Sequence, residues 1–118
     1  MTALVVEDDF ASRKYLILLL KKMNIEAVVA ENGESGLDLA KDRDFDIMLL
    51  DIALGPGIDG IELCTRLKKQ PRFAKTPPIA VTAFAQENLE KFEAAGFAGY
   101  LSKPYTSDQL KSALDKYL

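Results

Sequence analysis

The stretch IMLLDIALGPGIDG, residues 47–60, decides the fold. Four apolar residues lead into Asp51, and a loop that contains three glycines follows. A short apolar run that is bounded by turn residues is typical of a strand covered on both faces, as strands are in a parallel sheet. On its own, an aspartate at a strand end is most often a solvated cap or turn residue. The role of Asp51 therefore depends on which residues the fold brings to it.

Similar apolar runs alternate with amphipathic stretches along the chain. Strands are predicted at 3–6, 26–30, 46–50, 79–82 and 99–103, and helices at 10–23, from about 34, at 60–70, at 86–96 and from 106 onward. This alternation predicts an α/β fold, a doubly wound parallel sheet with helices on both faces. Leu89 and Phe92 are expected to face the core, and Gly96 to end their helix as a left-handed cap. Thr106 and Gln109 have the spacing of a capping box.

Composition narrows the classes of function. The chain has 118 residues, so we expect residues 1–118 to form one domain. A formal net charge of −3 gives no support to direct nucleic-acid binding, which usually needs a basic face. The longest uncharged apolar run, 15–20, is too short for membrane insertion, and the N-terminus does not resemble a secretory signal. A single cysteine, Cys64, fits a reducing compartment, and we expect a cytoplasmic protein.

Polar side chains follow four of the predicted strands. Glu7 and Asp8 follow the first strand, Asp51 follows the third, Thr82 ends the fourth and Lys103 ends the fifth. The carboxyl ends of parallel strands lie at one edge of the sheet, where doubly wound folds bind ligands. Spacing alone does not fix the strand order. One of the two common orders, 2-1-3-4-5, would place the acidic pair on one side of Asp51. The Thr82 hydroxyl and the Lys103 ammonium would then lie on the other side.

Such a cluster predicts a particular chemistry. Three neighbouring carboxylates would repel one another and raise each other's pKa values. Mg²⁺ relieves this repulsion, because it takes oxygen ligands and is usually held by one or two carboxylates together with phosphate oxygens. Asp51 is then the natural nucleophile toward a phosphoryl group, and Mg²⁺ with Lys103 would neutralise the charge on the group being transferred.

Four segments carry a family resemblance. They are VVEDD (5–9), LLDIALGPGIDG (49–60), AVTA (80–83) and LSKP (101–104). In this order and spacing they resemble the receiver domain of two-component response regulators, the CheY-like family. The resemblance covers nearly the whole chain and implies a flavodoxin-like fold of five strand–helix units with the strand order 2-1-3-4-5.

The resemblance also implies the ligands of the metal. Asp51 corresponds to the phosphoacceptor of the family. Glu7 and Asp8 correspond to its acidic pair, which with Asp51 and the backbone carbonyl of Ala53 would hold Mg²⁺ or Mn²⁺. Of the pair, Asp8 is expected to be the direct ligand.

Other positions correspond to the residues that sense the phosphoryl group. Thr82 matches the switch hydroxyl, and Tyr100 matches the aromatic switch residue. Lys103 matches the lysine that contacts the phosphoryl group, and the resemblance implies a cis peptide bond before Pro104. Phe84, with its large apolar ring, is expected to border the path of attacking water and to prolong the lifetime of the phosphorylated state.

The sequence departs from the family in the loop after Asp51. Pro56 and Gly60 lie five and nine residues after the phosphoacceptor, whereas the family usually has four and eight, so the loop carries one additional residue. This leaves open the conformation at Ala53, which would also border the path of water.

The implied function is a phosphorylation-dependent switch rather than an enzyme acting on a separate substrate. The chain has no histidine, so the phosphohistidine donor must lie on a partner, a sensor histidine kinase or a histidine phosphotransfer protein. Phosphorylation of Asp51 would shift the surface of the fourth helix, fifth strand and fifth helix, near which Phe84 and Tyr105 are expected to lie. The downstream effector, and whether the domain acts alone or within a larger regulator or hybrid kinase, stay open.

Three alternatives stay beside this interpretation. A Mg²⁺-dependent aspartyl-phosphate phosphatase would want a second aspartate two residues after Asp51, where this chain has Ala53. A flavodoxin-like cofactor site would want a hydroxyl- and glycine-rich loop after the first strand, where this chain has carboxylates. The third alternative is a docking module that is never phosphorylated, against which the complete set of site residues argues.

The remaining polar residues have simple structural interpretations. Asp9 and Asp59 are expected to cap helices or to be solvated, and Cys64 to pack in the core. The lysine pairs at 21–22 and 68–69 are expected to be solvated helix ends.

Overall fold

The computed structural model describes residues 1–118 as alternating strands and helices. The strands are β1 (Thr2–Val6), β2 (Glu26–Ala30), β3 (Ile47–Asp51), β4 (Pro78–Thr82) and β5 (Gly99–Ser102). The helices are α1 (Phe10–Lys22), α2 (Gly33–Leu39), α3 (Gly60–Lys68), α4 (Leu89–Ala95) and α5 (Ser107–Tyr117). Short 3₁₀ turns cover Pro71–Phe73 and Ala85–Glu87. None of the helices has the length and hydropathy needed to cross a bilayer.

The five strands form one parallel sheet in the order β2-β1-β3-β4-β5, which confirms the doubly wound fold. The winding reverses between β1 and β3, where Val6 pairs with Leu50. Asp51 is the next residue of β3 and pairs with Val81 of β4. The register therefore brings the end of β1, and the residues that follow it, beside Asp51.

The apolar run before Asp51 divides between the two faces of the sheet. Met48 and Leu50 point into one buried cluster, with residues of α2, α3 and α4. Ile47 and Leu49 point into the other cluster, with residues of α1 and α5. Because successive side chains of a strand point to opposite faces, a strand covered on both sides must be apolar at every position until it reaches the edge. Asp51 is the first polar residue at that edge.

The segment predicted as one helix at 86–96 is broken at Asn88. A 3₁₀ turn ends there, and α4 begins at Leu89, because Asn88 has a non-helical backbone and its side-chain amide donates to the Phe84 carbonyl. The prediction that Leu89 faces the core is wrong, since this first residue of the new helix is 40% exposed. Phe92 is buried as predicted. Gly96 ends α4 with φ +101°, a conformation that suits glycine and confirms the predicted cap.

Tyr105 lies in the loop between β5 and α5, as predicted, but its side chain is not available at the surface. It is buried, and its ring packs 5.5 Å, centroid to centroid, from the ring of Tyr15 in α1. The Tyr15 hydroxyl donates to the Tyr105 carbonyl at 3.0 Å. Its position next to α5 along the chain suggested the surface of α4, β5 and α5, whereas the side chain packs in the buried cluster that α1 and α5 form with the sheet.

Lys68 is not a solvated helix end. Its ammonium donates to the carbonyls of Phe73, Ala74 and Thr76 at 2.9, 3.0 and 3.3 Å. The loop between α3 and β4 turns its carbonyls inward there, and the lysine satisfies them. The neighbouring Lys69 is exposed as expected.

Candidate functional site

Three carboxylates converge at the carboxyl edge of the sheet. One oxygen each from Glu7, Asp8 and Asp51 lies within 4.8 Å of the others. Glu7 and Asp51 are buried, and Asp8 is exposed. The sequence prediction that the acidic pair would meet Asp51 is confirmed by this geometry, which follows from the pairing of β1 with β3.

The acidic pair lies in a three-residue loop between β1 and α1. Asp9 closes this loop as the N-cap of α1, where its carboxylate accepts from Ser12 N at 2.8 Å, as expected for a capping residue. The Asp9 N–H donates to Glu7 Oε2 at 3.2 Å. Glu7 N donates in turn to the Ala30 carbonyl at 3.1 Å, which ties the loop to the end of β2.

The loop after Asp51 is held at both of its ends. Ala53 N donates to Asp51 Oδ1 at 3.2 Å, and Gly60 N donates to the Ile52 carbonyl at 3.0 Å. Gly60 approaches so closely that a Cβ there would lie 2.1 Å from the Asp51 carbonyl oxygen, so only glycine fits. In the middle of the loop, a Cβ at Gly55 would meet nothing within 4 Å, so the loop is open at this position.

Lys103 reaches this cluster from the end of β5. Its Nζ lies 2.6 Å from Glu7 Oε1 and 3.6 Å from Asp51 Oδ2. The backbone holds the residue in place, since Lys103 N donates to the Thr82 carbonyl at 2.9 Å. The peptide bond between Lys103 and Pro104 is cis, as is the bond between Gly55 and Pro56.

The charges of the site follow from these contacts. Burial disfavours the ionised form of Glu7, but hydrogen bonds from Asp51, Lys103 and the Asp9 backbone outweigh it and lower the pKa of Glu7. Burial, together with the neighbouring Glu7 carboxylate, raises the pKa of Asp51 to about 7. For Lys103 the opposing carboxylates outweigh burial, and its pKa is raised. The expectation that each carboxylate raises the pKa of the others therefore holds for Asp51 but is wrong for Glu7, because hydrogen bonds with Asp51 and with Lys103 favour the ionised form of Glu7.

The hydroxyls of Thr82 and Tyr100 have hydrogen-bond partners outside the acidic cluster. Thr82 is buried at the end of β4, and its hydroxyl accepts from Phe84 N at 3.1 Å. The Tyr100 ring is 40% exposed, and its hydroxyl accepts from the Gln86 side-chain amide at 3.0 Å. Phe84 projects into solvent. The structure thus brings Glu7, Asp8, Asp51 and Lys103 together, and it places the other predicted residues on neighbouring strand ends or the surface.

Arg13 is a residue at this edge that the sequence interpretation missed. Its guanidinium donates to the Glu7 carbonyl at 3.1 Å and also pairs with Glu31. One feature of the sequence could have pointed to Arg13, and it is electrostatic. A cation within the first turns of a helix opposes the helix dipole, so Arg13 gains nothing from α1 itself.

The donor set suits a hard divalent cation. Three carboxylates face a single ammonium, and all of the ligand atoms are oxygens. Mg²⁺ takes such oxygen ligands, and its charge would neutralise the excess negative charge. Glu7, Asp8 and Asp51 therefore fit a magnesium site.

Sequence comparisons agree with this geometry. The profile of the response regulator receiver domain matches residues 3–115. The signal transduction histidine-protein kinase BarA of Escherichia coli is 36% identical over 118 residues, which is 99% of this chain but 13% of BarA. The chain thus corresponds to a small part of that kinase.

Solved structures agree as well. The Vibrio cholerae chemotaxis protein CheY4 superposes with a TM-score of 0.93 at 25% identity, covering 99% of this chain and 98% of CheY4. The receiver domain of a Pseudomonas aeruginosa sensor histidine kinase, solved with a magnesium ion in its active site cleft, has a TM-score of 0.91 at 26% identity, covering 98% of this chain and 95% of that one. On its sequence, its fold and its acidic site, the chain belongs to the response regulator receiver domain family of two-component signalling.

Proposed function

We propose that residues 1–118 act as one receiver domain, a phosphorylation-dependent switch in which Asp51 accepts a phosphoryl group. The observation that carries the proposal is the convergence of Glu7, Asp8 and Asp51 within 4.8 Å, with Lys103 Nζ 3.6 Å from Asp51. The donor would be a phosphohistidine on a sensor histidine kinase or a histidine phosphotransfer protein. The similarity to part of a histidine-protein kinase supports this class of partner.

The chemistry would be a single displacement at phosphorus. A carboxylate oxygen of Asp51 attacks the phosphorus of the phosphohistidine, the P–N bond breaks, and its electron pair returns to the imidazole nitrogen of the partner. Asp51 must be ionised to attack, and the positive charge of Lys103 favours that form. Lys103 is also near enough to stabilise the negative charge that gathers on the phosphoryl oxygens.

Mg²⁺, or Mn²⁺ in its place, would be held by Glu7, Asp8, Asp51 and the backbone carbonyl of Ala53. When bound, the cation would neutralise the charge of the incoming phosphoryl group. Of the acidic pair, Asp8 would be the direct ligand, because its carboxylate is exposed whereas that of Glu7 already contacts Lys103.

Thr82 and Tyr100 would report the phosphoryl group to the surface formed by α4, β5 and α5. The Thr82 hydroxyl would turn toward the phosphoryl oxygens, which requires it to leave the Phe84 N–H. Tyr100 would then move inward, which requires its hydrogen bond with Gln86 to break. Phosphorylation would in this way shift the population between two packings of one fold.

The domain would catalyse only its own phosphorylation and slow dephosphorylation, and it would turn over no separate substrate. Ala53 has no acid or base group, which disfavours rapid hydrolysis. We also place the domain in the cytoplasm, which fits its one free, buried cysteine.

The test is incubation of the metal-free protein with Mg²⁺ and acetyl phosphate, followed by intact-mass measurement. The wild-type protein should gain the mass of one phosphate, and Asp51→Asn should gain none. Asp115→Asn, a matched change at an aspartate of α5 that pairs only with Lys111, should behave as the wild type. A mass gain that persists in Asp51→Asn would contradict the proposal.

A further inference from the structure

The loop that carries the acidic pair has little regular structure of its own. It consists of three residues between β1 and α1. The N–H groups of Glu7 and Asp9 are used by Ala30 and by the Glu7 carboxylate. The carbonyl groups of Glu7 and Asp8 are the acceptors of this loop, and each can take a hydrogen bond from a side chain.

Arg13 is that side chain. Its Nη1 lies 3.1 Å from the Glu7 carbonyl oxygen and 3.5 Å from that of Asp8. Its Nη2 pairs with Glu31 Oε1 at 3.4 Å, so one guanidinium connects the acidic loop to the segment that follows β2. The side chain is only 14% exposed, and its guanidinium lies over the Phe10 ring.

The same arrangement occurs once more, at the opposite edge of the sheet. The guanidinium of Arg72 lies over the Phe73 ring, donates to the carbonyls of Ala40 and Lys41, and pairs with Asp44. None of these residues belongs to the acidic cluster. Arg72 is therefore a matched structural arginine with the same kinds of contact and no connection to the site.

We infer that Arg13 is a positioning residue for the metal site, which fixes the backbone of the acidic loop so that the Asp8 carboxylate is held near Asp51 before a cation binds. The inference rests on the proposed function. A loop ordered in advance loses less conformational freedom when the cation binds, so the affinity for the cation is higher. Arg13 is not itself a ligand, and its positive charge near the site would by itself weaken cation binding.

The ordering of the loop by Arg13 should raise the affinity for the cation, whereas its positive charge should lower that affinity. These opposite signs make the inference testable. Arg13→Met keeps the aliphatic stem over Phe10 but removes every donor. If the residue positions the loop, the variant should bind Mg²⁺ about 10-fold more weakly. If it acts only through its charge, the variant should bind Mg²⁺ more tightly.

The experiment is a titration of metal-free ¹⁵N-labelled protein with Mg²⁺, followed by the amide resonances of Asp8, Asp9 and Ala53. The spectrum also reports whether each variant is folded. Arg72→Met is the control, and urea unfolding of both variants measures stability. We expect both to lose stability, and only Arg13→Met to lose affinity for Mg²⁺. If Arg13→Met does not fold, Arg13→Lys, which keeps the charge but not the fork of donors, takes its place and should also bind Mg²⁺ more weakly.

The outcomes separate the inference from the proposed function. Unchanged or tighter Mg²⁺ binding by the Arg13 variant, while the wild type binds, overturns the inference alone. Equal loss of affinity in Arg72→Met also overturns it, because the effect would then follow from stability. Failure of the wild type to bind Mg²⁺ overturns both.

Discussion

Two lysines at opposite edges of the sheet, Lys68 and Lys103, differ in the groups that their ammonium ions contact. Lys68 lies near the amino ends of the strands, where its ammonium contacts three backbone carbonyls. Lys103 lies at the carboxyl ends, where its ammonium contacts the carboxylates of Glu7 and Asp51. Both are partly buried cations, but Lys68 has three hydrogen-bond acceptors, whereas Lys103 has one, Glu7, with Asp51 at 3.6 Å.

The difference lies in what those partners can do. The carbonyls around Lys68 are neutral and fixed by the backbone, so nothing in the chemistry of the protein changes that contact. The carboxylates around Lys103 can change charge by protonation and, if the proposed function holds, by binding a cation or by phosphorylation, and each change would alter the balance of forces on the ammonium. The contacts at the amino edge therefore only stabilise the fold, whereas the contacts at the carboxyl edge depend on the charge of the carboxylates.

The sharpest test of this contrast is Lys103→Met, which removes the ammonium beside Asp51. We expect phosphorylation by acetyl phosphate to slow by roughly 100-fold, the usual loss when one charge-stabilising donor is removed from a reacting centre. Intact-mass time courses measure the rate. Lys68→Met should phosphorylate at the wild-type rate, and an equal loss there would erase the distinction between the edges.

Asp51→Asn tests how far the carboxyl edge is destabilised by its own charges. The pKa of Asp51 is about 7 in the folded, metal-free protein and about 3.9 in an unfolded chain. The folded state holds the proton more tightly, so the wild type loses stability as the pH rises through this range, whereas asparagine does not titrate.

The stability advantage of Asp51→Asn over the wild type should therefore grow by about 2–3 kcal/mol between about pH 5 and about pH 8. Urea unfolding in the presence of a chelator measures it. A difference that stays constant with pH would mean that Asp51 is already ionised at the lower pH.

Lys68→Met tests the amino edge. The Thr76 carbonyl loses its donor, and the Phe73 carbonyl keeps only the Thr76 N–H, which should lower the free energy of unfolding by about 2 kcal/mol. Urea unfolding measures the change. Lys69→Met alters the exposed neighbour and should have little effect. Similar stabilities for the two variants would show that water replaces the ammonium at these carbonyls without cost.

Phe84→Ala is expected to give the smallest effect. The ring stands two residues after Thr82 at the carboxyl edge, and its loss should admit water and shorten the phosphorylated half-life about threefold. Leu18→Ala is the control at another exposed apolar side chain, in α1, since the exposed fractions are 61% for Phe84 and 52% for Leu18. Equal half-lives in wild type and Phe84→Ala would argue against a role of Phe84 in excluding water from the phosphoryl group.

The residues at the carboxyl edge could be predicted from sequence because they follow apolar runs. Asp51, Thr82 and Lys103 each stand at or just beyond the end of a strand, and parallel strands bring such positions to one edge. The order 2-1-3-4-5 came from the family resemblance, not from spacing, and the structure confirms it.

What sequence did not predict depends on where loops turn their backbone groups. The carbonyls that hold Lys68 and Arg13 belong to loops, and no side-chain pattern reports the direction of a carbonyl. The lowered pKa of Glu7 was missed because it depends on hydrogen bonds with Asp51 and with Lys103, the latter at 2.6 Å from a residue 96 positions away along the chain. The break at Asn88 was missed because the helical period continues through it.

The buried thiol has a practical consequence for spectroscopy. Cys64 is fully buried, it donates to the Ala95 carbonyl, and burial raises the pKa of its thiol to about 12. It will not react with maleimides in the folded state. A cysteine introduced at Gly55, where the loop beside Asp51 opens to solvent, would thus be the sole labelling position. A fluorophore attached there would follow occupancy of the acidic site in real time without removal of the native cysteine.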